Sequence, residues 1–155
     1  MSAVVLPPFW SLVEAHGDEL LAHARRMTDD QSAEDVLQDA LLRALRAYPR
    51  LRHADHLRAW LYRVTTTTAL DLHRRRRREI PTEEPPVQSV EAEYDDGAFE
   101  SLIAPLAPTA RDALRLRFVD DLDYDELGAR LGCSPVAARQ RVSTAVRTLR
   151  ERVAP

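Results

Sequence analysis

DYDELGARLGCSPVAARQRVSTAVRTLR, residues 123–150, reads as a helix, a three-residue turn and a second helix. Leu127 and Leu131 carry the apolar spacing of the first helix, and Gly132 stands where a helix ends in the left-handed conformation. Ser134 is placed to cap the next helix. Pro135 fits its first position, where a missing N–H costs nothing. Stop, turn and start signals fall within four residues, which is the sequence form of a helix-turn-helix.

Angular spacing assigns the faces of the second helix. At about 100° per residue, Ala138, Val142, Ala145, Val146 and Leu149 share one arc and must face a core. The opposite arc collects Val136, Gln140, Ser143, Thr144 and Arg147, flanked by Arg139 and Arg141. No acidic residue interrupts it before Glu151. Gln and Arg suit bidentate contacts with adenine and guanine edges, Ser and Thr pair with either, and flanking Arg suits phosphate. A merely solvated amphipathic helix is the alternative, and the carboxylate-free face argues against it.

The chain has 155 residues, enough for one ordinary domain or two small ones. Its single Cys133 excludes an internal disulfide framework and fits a reducing cytoplasm. Cys133 lies in the turn and is expected to be a small, partly buried residue rather than a redox group. No run of about 18 apolar residues and no secretion-signal layout is present, so a cytoplasmic protein without membrane insertion is expected. All 22 basic residues are Arg, a bias given little weight.

The net charge of −3 averages unlike segments. Residues 1–78 hold 13 Arg and 10 acids, residues 79–108 hold 8 acids and no base, and residues 109–155 hold 9 Arg and 7 acids. Two basic lobes are therefore joined by an acidic strap. Pro81, Pro85 and Pro86, among Glu83, Glu84, Glu91, Glu93, Asp95 and Asp96, bury little and disfavour helix. The strap reads as a flexible linker over 79–97, between domains at 1–78 and 98–155.

The first lobe reads as wholly helical. Phe9 to about Met27 is amphipathic, with Trp10, Val13, Leu20 and Leu21 expected in the core. The next helix is expected to be capped by Ser32, with Glu34 and Asp35 in its first turn, where the helix dipole favours acids. Ala33, Val36, Leu37, Ala40, Leu41 and Ala44 form its inner stripe. Asp35, Gln38, Asp39, Leu42 and Arg46 lie opposite. An apolar Leu42 ringed by polar residues has the character of a partner-binding spot.

Tyr48 to Asp55 reads as a loop broken by Pro49 and rimmed by Arg50, Arg52 and His53. A third helix follows, with Leu57, Trp60, Leu61, Val64, Thr68 and Leu72 inward, and it runs into Arg74 to Arg78. Five consecutive arginines repel one another, and a phosphate-rich partner is their natural compensation. Thr65 to Thr68 runs against this assignment, since β-branched residues weaken a helix. His53 and His56 are a weak metal pair without nearby Cys, and His16, His23 and His73 are expected to be surface or packing residues. No Gly-rich phosphate loop and no catalytic constellation appears. No cofactor is implied.

Ala33-Glu34-Asp35-Val36-Leu37-Gln38-Asp39, then Leu57-Arg58-Ala59-Trp60-Leu61-Tyr62-Arg63-Val64, then Asp71 with its arginine run, resembles region 2 of bacterial sigma factors. Leu114-Arg115-Leu116-Arg117-Phe118, then Asp123-Tyr124-Asp125-Glu126-Leu127 and Ser134 to Leu149, resembles region 4. Two regions with a short linker between them resemble the extracytoplasmic-function (ECF) subfamily.

The resemblance implies roles. Asp35, Gln38 and Asp39, with Leu42, would dock on the clamp helices of core RNA polymerase. The loop from Arg50 to Asp55, with Arg52 and His53, would capture a flipped base of the minus-ten element. Arg63, Arg74, Arg75 and Arg76 would hold the backbone of the opening duplex. Arg139, Gln140, Arg141, Ser143 and Arg147 would read the minus-thirty-five element, and the acidic linker would thread the path of nascent RNA. Thr67 stands where the family usually has Asn, Leu57 where it has an aromatic, Thr144 where Arg is common and Ala138 where Val is common.

The expectation is therefore an all-α, two-domain promoter-specificity subunit without catalytic residues, a monomer when free. Its partners are core RNA polymerase, promoter DNA and an anti-sigma protein. Two other classes remain open from the sequence. A stand-alone helix-turn-helix regulator would bind a palindrome as a dimer without polymerase. A pure interaction protein would have lost its DNA function, which the arginine-rich third helix argues against.

Overall fold

The structure is a computed structural model that describes residues 4–52, 54–77 and 96–153. Seven α-helices and one short 3₁₀ turn are present in that range, with no strand among the described residues. The first lobe comprises α1 (Phe9–Met27), α2 (Asp30–Ala47) and α3 (Leu57–Arg77), packed mutually. The second comprises α4 (Asp96–Ile103), α5 (Pro108–Phe118), α6 (Tyr124–Leu131) and α7 (Pro135–Val153). The expected linker overlaps α4, which already begins at Asp96. The rest of that linker lies outside the described residues.

Two first-lobe expectations need correction. Asp29, not Ser32, caps α2: its carboxylate accepts from the Ser32 N–H at 2.7 Å, which satisfies a free donor of the first turn. That backbone bond, and then the Ser32 hydroxyl, hold the Asp29 carboxyl below its ordinary value. Asp30 is the first-turn acid, and Glu34 and Asp35 fall one turn later and face solvent. Trp10 is not in the core but 73% exposed. Leu12, Leu20, Ala24 and Met27 occupy the inner arc of α1 instead, and Trp10 stands almost opposite Leu12 at helical pitch. Val13 and Leu21 are half-buried.

α3 is buried all round over residues 59–70. Its four threonines explain how. Each hydroxyl donates to the carbonyl four residues back, Thr65 to Leu61 at 2.8 Å, Thr66 to Tyr62 at 2.8 Å, Thr67 to Arg63 at 2.9 Å and Thr68 to Val64 at 2.7 Å. The polar groups are satisfied within the helix, so each side chain presents mainly methyl surface to its neighbours. A run that disfavours helix on propensity alone is tolerated because tertiary burial outweighs it.

In the second lobe the stop, turn and start signals act as read. Gly132 adopts φ 71°, and the Ser134 hydroxyl accepts from the Ala137 N–H at 3.1 Å. Asp123 supplies a further cap, accepting from Glu126 N–H at 2.8 Å. Gly128 sets the closeness of the two helices, since a Cβ there would lie 2.6 Å from the Cys133 carbonyl oxygen. Ala138, Val142, Ala145, Val146 and Leu149 are buried, as their arc requires.

The lobes share one continuous core. Phe118, at the end of α5, joins them: its ring stacks on Tyr62 at 5.5 Å, tilts against His23 at 5.4 Å and meets Phe99 edge-on at 6.4 Å. Such aromatic pairs add to the burial of their own surface. Arg63 donates to the Phe118 carbonyl from across the junction.

Candidate functional site

Three surfaces collect the residues singled out above. The first is the outer face of α7. Arg139, Gln140, Arg141, Ser143, Thr144 and Arg147 are all exposed, and no carboxylate lies on that face among the described residues before Glu151. The Arg139 guanidinium sits over the Tyr124 ring at 5.1 Å and that of Arg117 at 4.5 Å, so one aromatic holds two cations at the entrance to the helix-turn-helix. Ser143 and Arg147 also line a cleft between α7 and the first lobe.

The second surface lies around the loop and the arginine run. Tyr48–Arg50 forms a 3₁₀ turn anchored by the buried Tyr48 ring, whose hydroxyl donates to the Pro7 carbonyl. Arg50 is exposed at the end of that turn and Arg52 on the loop beyond it, and His53 lies outside the described residues. Arg74, Arg75 and Arg76 are exposed at the end of α3. Arg76 is pinned back to α2, donating to Ser32 Oγ at 2.5 Å and lying 3.5 Å from Asp29. His73 bonds the Met27 carbonyl at 2.8 Å and braces the same end.

Arg63 does not join that set. It is 7% exposed and turned toward Phe118, because packing of the second lobe covers it and the Phe118 carbonyl needs a donor there. Thr67 likewise spends its hydroxyl on the Arg63 carbonyl and lies in the interior. The two lobes are further tied through Arg58, which bridges Glu19 at 2.6 Å and Asp121 at 3.1 Å. His56 and Asp121 face each other at 4.0 Å, and both hold left-handed backbone, φ 58° and 57°, without being glycine. Such conformations persist only where surrounding contacts over-determine them.

The third surface is the face of α2. Asp35, Gln38 and Leu42 are exposed, with Leu42 at 52%. Asp39 is half-buried and pairs with Arg43 at 3.5 Å, while Arg43 binds Asp71 at 2.8 Å and so fixes α2 on α3. Leu42 is not isolated: with Leu41, Leu45, Phe9 and Trp10 it walls an apolar groove of about 560 Å³ between α1 and α2, and Gln38 stands at its edge. From the sequence, Leu42 reads as a spot on its own helix alone. Trp10 was the available signal, since so large an apolar side chain on the outer arc of α1 marks a contact surface.

His23, expected as a surface or packing residue, is fully buried and bonded to Thr66 Oγ1 at 2.8 Å. Burial chiefly, then the charges of Arg26 and Arg117, lowers its pKa from 6.5 to about 3, so the imidazole is neutral in the fold. Among the described residues no group of three or more His, Cys, Asp and Glu converges on a metal site. No described helix is long and apolar enough to cross a membrane.

Comparison with known proteins gives the following. Sigma-70 region 2 matches residues 12–79, and Sigma-70, region 4 matches residues 96–149. The chain is similar to the ECF RNA polymerase sigma factor SigE of Mycolicibacterium smegmatis, 29% identical over 96% of this chain and 63% of that protein. It is similar to the RNA polymerase sigma-E factor of Streptomyces avermitilis, 32% identical over 92% of this chain and 83% of that protein. Its likeness to the ECF RNA polymerase sigma factor SigG of Mycobacterium tuberculosis is higher but partial, 46% identical over 48% of this chain and 20% of that protein. The chain thus spans less than two thirds of the length of SigE and a fifth of that of SigG.

Proposed function

The chain belongs to the extracytoplasmic-function sigma factors of the sigma-70 family, and from that premise we propose that it is a promoter-specificity subunit of RNA polymerase. One observation supports this above others. A single chain exposes an acid–Gln–Leu face on α2, fit for a protein partner, and a carboxylate-free Arg–Gln–Ser face on α7, fit for DNA. A regulator acting alone has no use for the first.

In this reading Asp35, Gln38, Asp39 and Leu42 dock on core polymerase, and the groove beside them, with Trp10, widens the contact. Arg50, Arg52 and His53 act at the minus-ten element, and Arg74 to Arg76 hold the backbone of the opening duplex by charge. Arg63 joins them only after the lobes part, since its guanidinium is occupied at Phe118. Arg139, Gln140, Arg141, Ser143 and Arg147 read the minus-thirty-five element, by base edges where Gln140 and Arg reach them and by phosphate elsewhere. The chain contributes binding energy and strand separation, while the polymerase performs the chemistry. An anti-sigma protein covering the α2 face is the further partner expected.

The test is reconstitution. Core RNA polymerase with this chain should start transcription at discrete promoters of the source genome, and core polymerase alone should not. Specific duplex binding by the chain alone, without a promoter-dependent transcript, overturns the proposal in favour of a stand-alone regulator.

A further inference from the structure

The cleft between the lobes has a volume of about 400 Å³, and five arginines line it: Arg25, Arg26, Arg117, Arg147 and Arg150. No carboxylate lines it. They converge from three helices, the end of α1, the end of α5 and the outer half of α7. Arg25 reaches only Asp30, at 4.0 Å, and Arg117 gives one donor to the Leu122 carbonyl at 2.8 Å. Arg150 lies 3.5 Å from the Arg26 carbonyl, bringing two of the positive side chains to the same spot. Arg26 and Arg147 form no ion pair with any described carboxylate.

The ends of helices α1 and α5 tolerate cations through their dipoles, but a partial charge near half a unit at each end does not neutralise five guanidiniums. The field they create reaches the interior, where Arg26 and Arg117 both oppose protonation of His23 beneath the cleft. Tyr62 and Tyr124 supply aromatic wall, and Phe118 closes the floor. Arginine forks match phosphate oxygens two at a time, and aromatic faces take a planar base. The volume lies within the range of small-ligand sites. A DNA duplex, about 20 Å across, does not enter a space of this size between two lobes.

We propose that the interlobe cleft is a binding site for a compact polyphosphate, a nucleoside diphosphate or triphosphate, with its phosphates on Arg26, Arg117 and Arg147 and its base along Tyr124. The bound ligand bridges α1, α5 and α7. It engages Arg147, and so competes with the duplex for a residue proposed above to read DNA. The site itself does not depend on the promoter-specificity reading, since it is built by this chain alone.

The experiment is calorimetric titration of the full chain with ADP, and separately with inorganic pyrophosphate, in roughly 0.15 M salt without polymerase or DNA. ADP should bind saturably with one-to-one stoichiometry, and pyrophosphate about tenfold or more weakly. Arg26→Ala and Arg147→Ala should each weaken ADP about tenfold or more, with unchanged circular dichroism. Arg130→Ala, an exposed arginine of α6 outside the cleft, should leave the affinity as it is. Equal weakening by Arg130→Ala overturns the site as mere net charge. Equal binding of ADP and pyrophosphate overturns the nucleoside assignment. Capture of a DNA duplex by the chain, with ADP neither bound nor competing, overturns the proposal by giving the arginines to a nucleic-acid backbone.

Discussion

Arg58 of α3 and Asp121 of the turn before α6 meet at 3.1 Å across the junction of the lobes, 63 residues apart in sequence. The same guanidinium reaches Glu19 of α1 at 2.6 Å and lies over the Tyr62 ring at 5.0 Å. One cation therefore holds three elements, two from the first lobe and one from the second.

Breaking that pair should be measurable as coupling. A double-mutant cycle with Arg58→Ala and Asp121→Ala, read by urea unfolding, should return an interaction of about 0.5–1 kcal/mol, as partly exposed ion pairs do. Strict additivity of the two single effects would mean that the bridge contributes nothing in solution.

Gly17 and Gly128, both helical, should respond to alanine in opposite directions. Gly128→Ala drives a Cβ to 2.6 Å from the Cys133 carbonyl oxygen, a backbone atom that cannot swing aside. It should cost about 1–3 kcal/mol and weaken the helix-turn-helix. Gly17→Ala meets nothing within 4 Å and should stabilise α1 by about 0.5–1 kcal/mol. Thermal unfolding of the pair checks both signs in one series.

Acid should find His23. The fold holds this imidazole neutral, with its pKa near 3, while the unfolded chain takes up a proton near pH 6.5. Stability tied to this group is thus fully present above pH 6.5 and lost as pH falls toward 3, at up to about 1.4 kcal/mol per pH unit. The cost of His23→Gln, followed by urea unfolding between pH 7 and pH 4.5, should shrink as the pH drops. A cost independent of pH contradicts a buried neutral imidazole.

Polymerase association should fail in Asp35→Arg while the fold persists. The side chain is exposed on α2, one turn past the cap, so helicity and unfolding temperature should match the parent. Loss of affinity for core polymerase should reach about 2 kcal/mol or more, measured by co-elution or fluorescence titration. Lost helicity instead would show that the carboxylate does not point outward.

The parts legible in sequence were those written locally. Gly132, Ser134 and Pro135 specify the turn by backbone chemistry that acts within three residues, and the α7 faces follow from periodicity alone. The sequence puts the α2 cap at Ser32, three residues late, because Asp29, Asp30 and Ser32 are all capping types, and only the side-chain geometry selects Asp29. Trp10 reads as core by its hydrophobicity, though its angle on α1 puts it outside. Contact between the lobes was not legible at all. Phe118 carries no local sign of its partners, since Tyr62 and His23 lie 56 and 95 positions away. Arg63, which the family resemblance implies as a DNA contact, donates in the folded chain to a carbonyl of the other lobe.

The inward-bonded threonines of α3 bear finally on how the protein breathes. Residues 59–70 have no wet side, and the carbonyls of residues 61–64 each accept a hydroxyl as well. Amides in such a helix have no small fluctuation that exposes them, so their hydrogen exchange follows the rarest, whole-molecule opening. Both lobes rest on α3, through α1 and α2 of the first and α4, α5 and α7 of the second. The slowest-exchanging protons of the protein should accordingly lie in one helix, and they time the dissolution of both lobes together.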